Sequence, residues 1–158
     1  ETPDILDAML TTGVPYLQGY AIARPMPVDA LEAFLAGYQP AAGPFPSGLF
    51  GYYAGTMASH TSLKKMFMIN PAEIDLARLG DSRLCRGHAV QQRLGCGDEA
   101  HTLASLHERY HRAIAEAARC AGDNFRNTLW DDVEASLEEF LRAMLDEWRL
   151  RHRNTATM

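Results

Sequence analysis

The chain has 158 residues, 47% of them hydrophobic and 22% charged, with a formal net charge of −5. That describes one modest globular domain, or a small domain with an appendage, and the acidic balance argues against a nucleic-acid or anionic-membrane partner. No apolar run approaches a transmembrane helix and no basic-then-apolar leader opens the chain, although Glu1 in place of Met suggests an excised piece, so a missing leader says little about a parent protein. In residues 4–12, Ile5, Met9 and Leu10 predict the end of an amphipathic helix stopped by Gly13. Val14 to Ala23, nearly all apolar apart from Gln18, predicts a buried strand, and Val28 to Gly37 a short helix with Leu31, Phe34 and Leu35 on one side. Helix, strand, helix is α/β grammar, but residues 1–38 are too few to close such a fold and need partners upstream.

Within this piece, Gly13-Val14-x-Tyr16-x-Gln18-Gly19-Tyr20-x-Ile22-Ala23-Arg24-Pro25-Met26-Pro27 resembles the last strand and exit loop of EAL domains, the TIM-barrel phosphodiesterases of cyclic di-GMP. The resemblance implies that Gln18 is the family's glutamine at the active-site mouth, where barrel chemistry collects at the C-terminal strand ends. The bland alternative is an ordinary strand kink at Gln18-Gly19. The family's Glu-x-Leu motif, metal-binding carboxylates and catalytic lysine are absent from this sequence and, on the resemblance, would precede Glu1. A two-metal hydrolysis cannot run without its ligands. The chain alone is therefore expected to be inactive, with no catalytic residue of its own, and the parent to be a cyclic di-GMP phosphodiesterase.

Gln39 to Ser47 carries three prolines and a glycine in nine residues, which predicts a linker and a domain boundary at 39–47. Beyond it the pattern is helical. Leu49, Tyr53, Thr56, His60, Leu63 and Phe67 recur at alternating steps of four and three, the stripe of a bundle helix with His60 in a core position. Gly48, Gly51 and Gly55 either weaken its start or let a neighbouring backbone approach closely. Asn70-Pro71 ends this helix and reads as the start of a short one carrying Ile74, Leu76 and Leu79, broken at Gly80. Asp81 is the expected cap of the next helix, from Ser82 to Leu94, on which Cys85 and His88 share a face.

Three cysteines, Cys85, Cys96 and Cys120, are an odd number without disulfide-framework spacing. They suit a reducing cytoplasm, where a lone cysteine beside histidines is more often a ligand or a reactive thiol than half of a bridge. Cys96, between Gly95 and Gly97, reads as an exposed turn residue and a poor ligand. Asp98 is the expected cap of a long helix to Gly122, with Leu103, Leu106, Tyr110, Ile114 and Ala117 as its buried stripe. His107 and His111 lie along one margin of that stripe at i and i+4, within reach of one metal ion. His107-Glu108-Arg109-Tyr110-His111 also satisfies His-Glu-x-x-His, which would make Glu108 the base of a metalloprotease. That reading lacks a third ligand downstream other than His152 in a charged tail, so it ranks low. The last helix opens at a Thr128 cap with Asp131 three residues on. Its stripe is Trp130, Val133, Leu137, Phe140, Leu141, Met144 and Trp148, and arginines collect at its C-terminus.

His60, then twenty-four residues to Cys85, twenty-one to His107 and three to His111, supply one thiolate and three imidazoles, a donor set for a closed tetrahedral zinc site. This spacing, with Asp81-Ser82-Arg83-Leu84-Cys85 and Leu106-His107-x-x-Tyr110-His111, resembles the chemoreceptor zinc-binding (CZB) domains, four-helix zinc bundles attached to chemoreceptors and cyclic di-GMP enzymes. The family's usual residues near its first histidine and cysteine differ here: Leu63 stands for a tryptophan-like residue, and Gly87 falls one position early with no aromatic after it. His88 is the alternative fourth ligand. The expected fold is mainly α: a four-helix-bundle-like domain over 48–154, preceded by a helix-strand-helix remnant of an EAL barrel over 1–38 and followed by a frayed tail at 155–158. The resemblances imply a cytoplasmic, bacterial, C-terminal regulatory module that senses zinc or oxidants, with the upstream EAL domain and a second copy of the chain as partners. The rival expectation is a metal-free helical bundle that dimerises and regulates the same enzyme.

Overall fold

The computed structural model describes residues 2–14, 16–39, 46–70, 74–97, 101–120 and 128–155. The chain is mainly α, and no strand occurs among the described residues. The helices are α1 (Pro3–Thr11), α2 (Val28–Gly37), α3 (Leu49–Ile69), α4 (Leu76–Gly80), α5 (Arg86–Arg93), α6 (Thr102–Arg119) and α7 (Thr128–Thr155), with a 3-10 turn over Ser82–Leu84. No helix among them is long and apolar enough to cross a membrane.

Both α6 and α7 follow their apolar periods. Leu103, Leu106, Tyr110, Ile114 and Ala117 of α6 are buried against Trp130, Val133, Leu137, Phe140, Leu141 and Met144 of α7. Removing a side chain such as Phe140 or Ile114 from water stabilises the fold by about 1.5–3 kcal/mol each, which makes this pair the main axis of the core. α3 crosses α7 and seats Leu49, Tyr52 and Phe67 in the same cluster. The fourth side is a broken segment of α4, the 3-10 turn and α5. Gln91 of α5, fully buried, is satisfied by donating from Nε2 to the Leu103 carbonyl at 3.0 Å.

α1 packs on α3. Its Asp7 carboxylate accepts from the Ser47 and Gly48 amides at 2.7 and 3.0 Å, so it anchors the entry into α3 from across the sequence. Gly51 and Gly55 permit the approach: a methyl group at Gly51 would lie well inside contact distance of Asp7, and one at Gly55 would lie 2.6 Å from Thr11. Close approach, rather than weakened helix, is therefore the meaning of these glycines. Asp4 ties α1 to the end of α7, accepting from Trp148 Nε1 at 3.1 Å beside His152.

Several expectations need correction. The buried strand expected over Val14–Ala23 does not occur among its described residues; Val14 and residues 16–23 are irregular, with a turn over 20–22 and Tyr16 and Tyr20 exposed. A strand needs a neighbour to take its backbone groups, and none exists among the described residues. Gln18 is exposed, as a mouth residue or any surface residue would be. Asn70 closes α3 through its own amide, and Asp75 caps α4 by accepting from the Ala77 and Arg78 amides. The helix expected from Ser82 to Leu94 is interrupted, with Asp81 capping only the 3-10 turn. Pro71, residues 40–45 of the linker, Asp98, Gly122 and residues 156–158 lie outside the described residues, as does the Thr128 side chain. α6 is capped instead by His101, whose Nδ1 accepts from the Leu103 amide.

Candidate metal centre

The break before α5 places a sulfur. Cys85 is the N-cap of α5, and its Sγ accepts from the Gly87 amide at 3.3 Å. A helix N-terminus favours a thiolate there, yet burial dominates and pushes the thiol up, opposed by the amides of Gly87 and His88. Across from it, one turn of α6 presents His107 and His111, both buried. The ligand atoms of Cys85, His107 and His111 all lie within 4.8 Å of one another.

One of the two imidazoles is held in the tautomer a metal needs. His111 Nδ1 lies 2.6 Å from the Leu79 carbonyl, which can only accept, so Nδ1 carries the proton and Nε2 offers a lone pair. A ring oriented through its other nitrogen is what metal-binding histidines require. His111 Nε2 faces His107 Nε2 at 3.1 Å. Two nitrogens each about 2.05 Å from a tetrahedral ion would be about 3.3 Å apart, so the pair is almost at ligand spacing. Burial, then the neighbouring His111 and His88, lowers the His107 pKa to about 3. Burial also lowers His111, against the Leu79 hydrogen bond and Asp81. Both rings are neutral at pH 7. His107 is held flat against Phe140, with centroids 5.3 Å apart.

Beside these three atoms lies a cavity of about 330 Å³, bordered by Tyr52, Gly87, Leu63, Val90 and Ile114 and by Thr11 of α1. Tyr52 is 4% exposed, and its hydroxyl has no hydrogen-bond partner among the described residues. An unpartnered buried hydroxyl costs about 1–3 kcal/mol. The apolar stripe expected of α3 runs through Tyr53, not Tyr52. Stepping from Leu49 by three instead of four and then continuing to Thr56 and His60 fits the apolar period equally well, so the only available signal was ambiguous.

The expected four-ligand set is not assembled. His60 is buried on α3, but its Nδ1 pairs with the Tyr110 hydroxyl at 2.9 Å and its Nε2 lies 3.3 Å from Glu134 Oε2. Tyr110 flanks His111, with ring centroids 5.8 Å apart, so His60 stands one side chain behind the centre. His88, half-buried one turn into α5, is likewise outside the group. Glu108 is exposed and paired with Arg112 at 3.0 Å, while His152 lies beside Asp4. Neither joins a protease constellation.

A second group, Cys96, His101 and Glu147, meets the same distance criterion. Cys96 is fully buried, not exposed as its flanking glycines suggest. Arg151 occupies this group: it donates to Cys96 Sγ at 2.9 Å and to Glu147 at 2.8 Å. No protein-family model, curated protein or solved structure matches this chain. What the fold and geometry define is a helical protein with groups able to hold a metal ion.

Proposed function

We propose that this chain is a regulatory zinc-binding module of an EAL-type cyclic di-GMP phosphodiesterase. The observation that carries the metal reading is the convergence of Cys85, His107 and His111, from a helix cap and one helix turn, with both imidazoles neutral and one oriented by Leu79. One sulfur and two nitrogens form a borderline-soft donor set suited to zinc. Attachment to a phosphodiesterase rests on the resemblance of residues 13–27, which carries Gln18.

When bound, zinc would cross-link α5 to α6 and add its binding free energy to folding. Cys85 makes that link sensitive to oxidants, since oxidation of a thiolate removes a ligand. The route toward the N-terminal piece is short. Thr11 of α1 borders the cavity beside the centre, and Asp7 of α1 holds the entry into α3, so repacking there bears directly on α1.

Elemental analysis of zinc-loaded protein, after loosely held metal is removed, tests the reading. We expect one zinc per chain, falling toward none in Cys85→Ala and His111→Ala. Full zinc in both variants overturns the site, and none in the parent chain favours the metal-free dimerising bundle. In the longer phosphodiesterase, zinc or Cys85→Ala should change the rate of cyclic di-GMP hydrolysis; an unchanged rate confines the module to a structural role.

A further inference from the structure

We propose that the Tyr52 hydroxyl donates a hydrogen bond to a small exogenous ligand, water or an inorganic anion, in the fourth coordination position of a metal held by Cys85, His107 and His111. The inference rests on the zinc reading above and adds to it an open, ligand-accepting position in place of a fourth protein donor.

Three observations meet at this point. The described residues bring together only three ligand atoms here, because His60 stands outside the group with its Nδ1 on the Tyr110 hydroxyl. Tyr52 is buried beside the ligand His107, with ring centroids 6.4 Å apart, and against Phe140 at 5.9 Å. Phenylalanine would make the same ring contacts, so packing does not account for the hydroxyl, which has no partner among the described residues.

Gly87 is the third observation. A methyl group there would stand 2.6 Å from the Tyr52 hydroxyl and 3.1 Å from His107 Nε2. The hydroxyl, the edge of the Tyr52 ring and the ligand nitrogen therefore all lie against Gly87, which has no side chain to separate them. The adjoining cavity of about 330 Å³ exceeds by far the roughly 30 Å³ that one water occupies. A divalent ion with one thiolate and two neutral imidazoles keeps a net positive charge, which favours an anion in the remaining position.

Titration of the cobalt(II)-loaded 158-residue chain with sodium azide reads this position. We expect azide to change the cobalt ligand-field spectrum saturably. Tyr52→Phe should bind cobalt as fully and azide about tenfold more weakly, the effect of one hydrogen bond to a charged group. The metal-free Tyr52→Phe protein should melt no lower than the parent chain, because the hydroxyl has no partner to lose among the described residues. A cobalt spectrum indifferent to azide, wild-type azide affinity in Tyr52→Phe, or a lower melting temperature of the metal-free variant overturns the Tyr52 assignment and leaves the zinc reading standing. Failure of the parent chain to take up cobalt overturns both. Should Tyr52→Phe fail to fold, Gly87→Ala, which crowds the same hydroxyl, carries the same azide test.

Discussion

Two cysteine-containing groups in this protein pass the same distance test, and they differ in what else their ligand atoms touch. In the first, the Cys85 sulfur accepts only weakly from a backbone amide, and the two histidine Nε2 atoms face each other. In the second, the sulfur of Cys96 and the carboxylate of Glu147 both already accept from Arg151, and His101 spends Nδ1 on capping α6. A guanidinium always carries its charge, so a divalent cation entering the second group would have to displace it. Proximity makes a cluster; lone pairs without a better partner make a site.

The largest expected effect separates the two groups by their histidines. His111→Ala should abolish zinc binding and, with it, the chelator-sensitive part of the melting temperature, about 5–10 °C at saturating metal. His101→Ala should keep zinc and lose only a helix cap, about 1 kcal/mol, as denaturant unfolding would read. Equal zinc loss in both variants would erase the distinction.

Acid should distinguish them next. His107 and His111 have pKa values lowered in the folded chain, His107 to about 3, against about 6.5 unfolded. Above pH 6.5 both states leave these rings neutral. As pH falls below it, the unfolded chain takes up protons that the folded chain refuses. Stability of the metal-free protein should then fall by up to about 1.4 kcal/mol per pH unit per ring. Denaturant midpoints measured across pH 7 to 4 check the slope, and His107→Gln should flatten it. The smallest effect belongs to the second group: Arg151→Met should cost less than about 1 kcal/mol, as a solvent-screened ion pair does, and leave zinc content unchanged. A gain of a second zinc would show that Arg151 alone was keeping a metal out.

What the sequence revealed follows from the length of each physical signal. α6 and α7 carry apolar stripes over many turns, and most of their buried residues are legible, while Ala115 and Ala118 are buried beyond the stripe and Trp148 is only partly buried. The His107–His111 pair was legible because i and i+4 on a helix must share a face. Cys85 was assigned to the interior of a helix and is its cap, since Asp81 and Cys85 both compete to start a turn within five residues and sequence does not rank them. His60 occupies the core position expected of it, yet whether a buried imidazole meets a metal, Tyr110 or Glu134 depends on the tertiary distance between α3, α6 and α7. The Val14–Ala23 segment failed for a different reason: apolar composition predicts burial, but a strand exists only when another strand accepts its hydrogen bonds.

The thiolate-to-cobalt charge-transfer band tests most directly which sulfur belongs to a metal centre. Cobalt(II) added to the parent chain, to Cys85→Ser and to Cys96→Ser should give the band in the parent chain and Cys96→Ser and none in Cys85→Ser. A band that survives Cys85→Ser and disappears in Cys96→Ser would contradict the account at its centre.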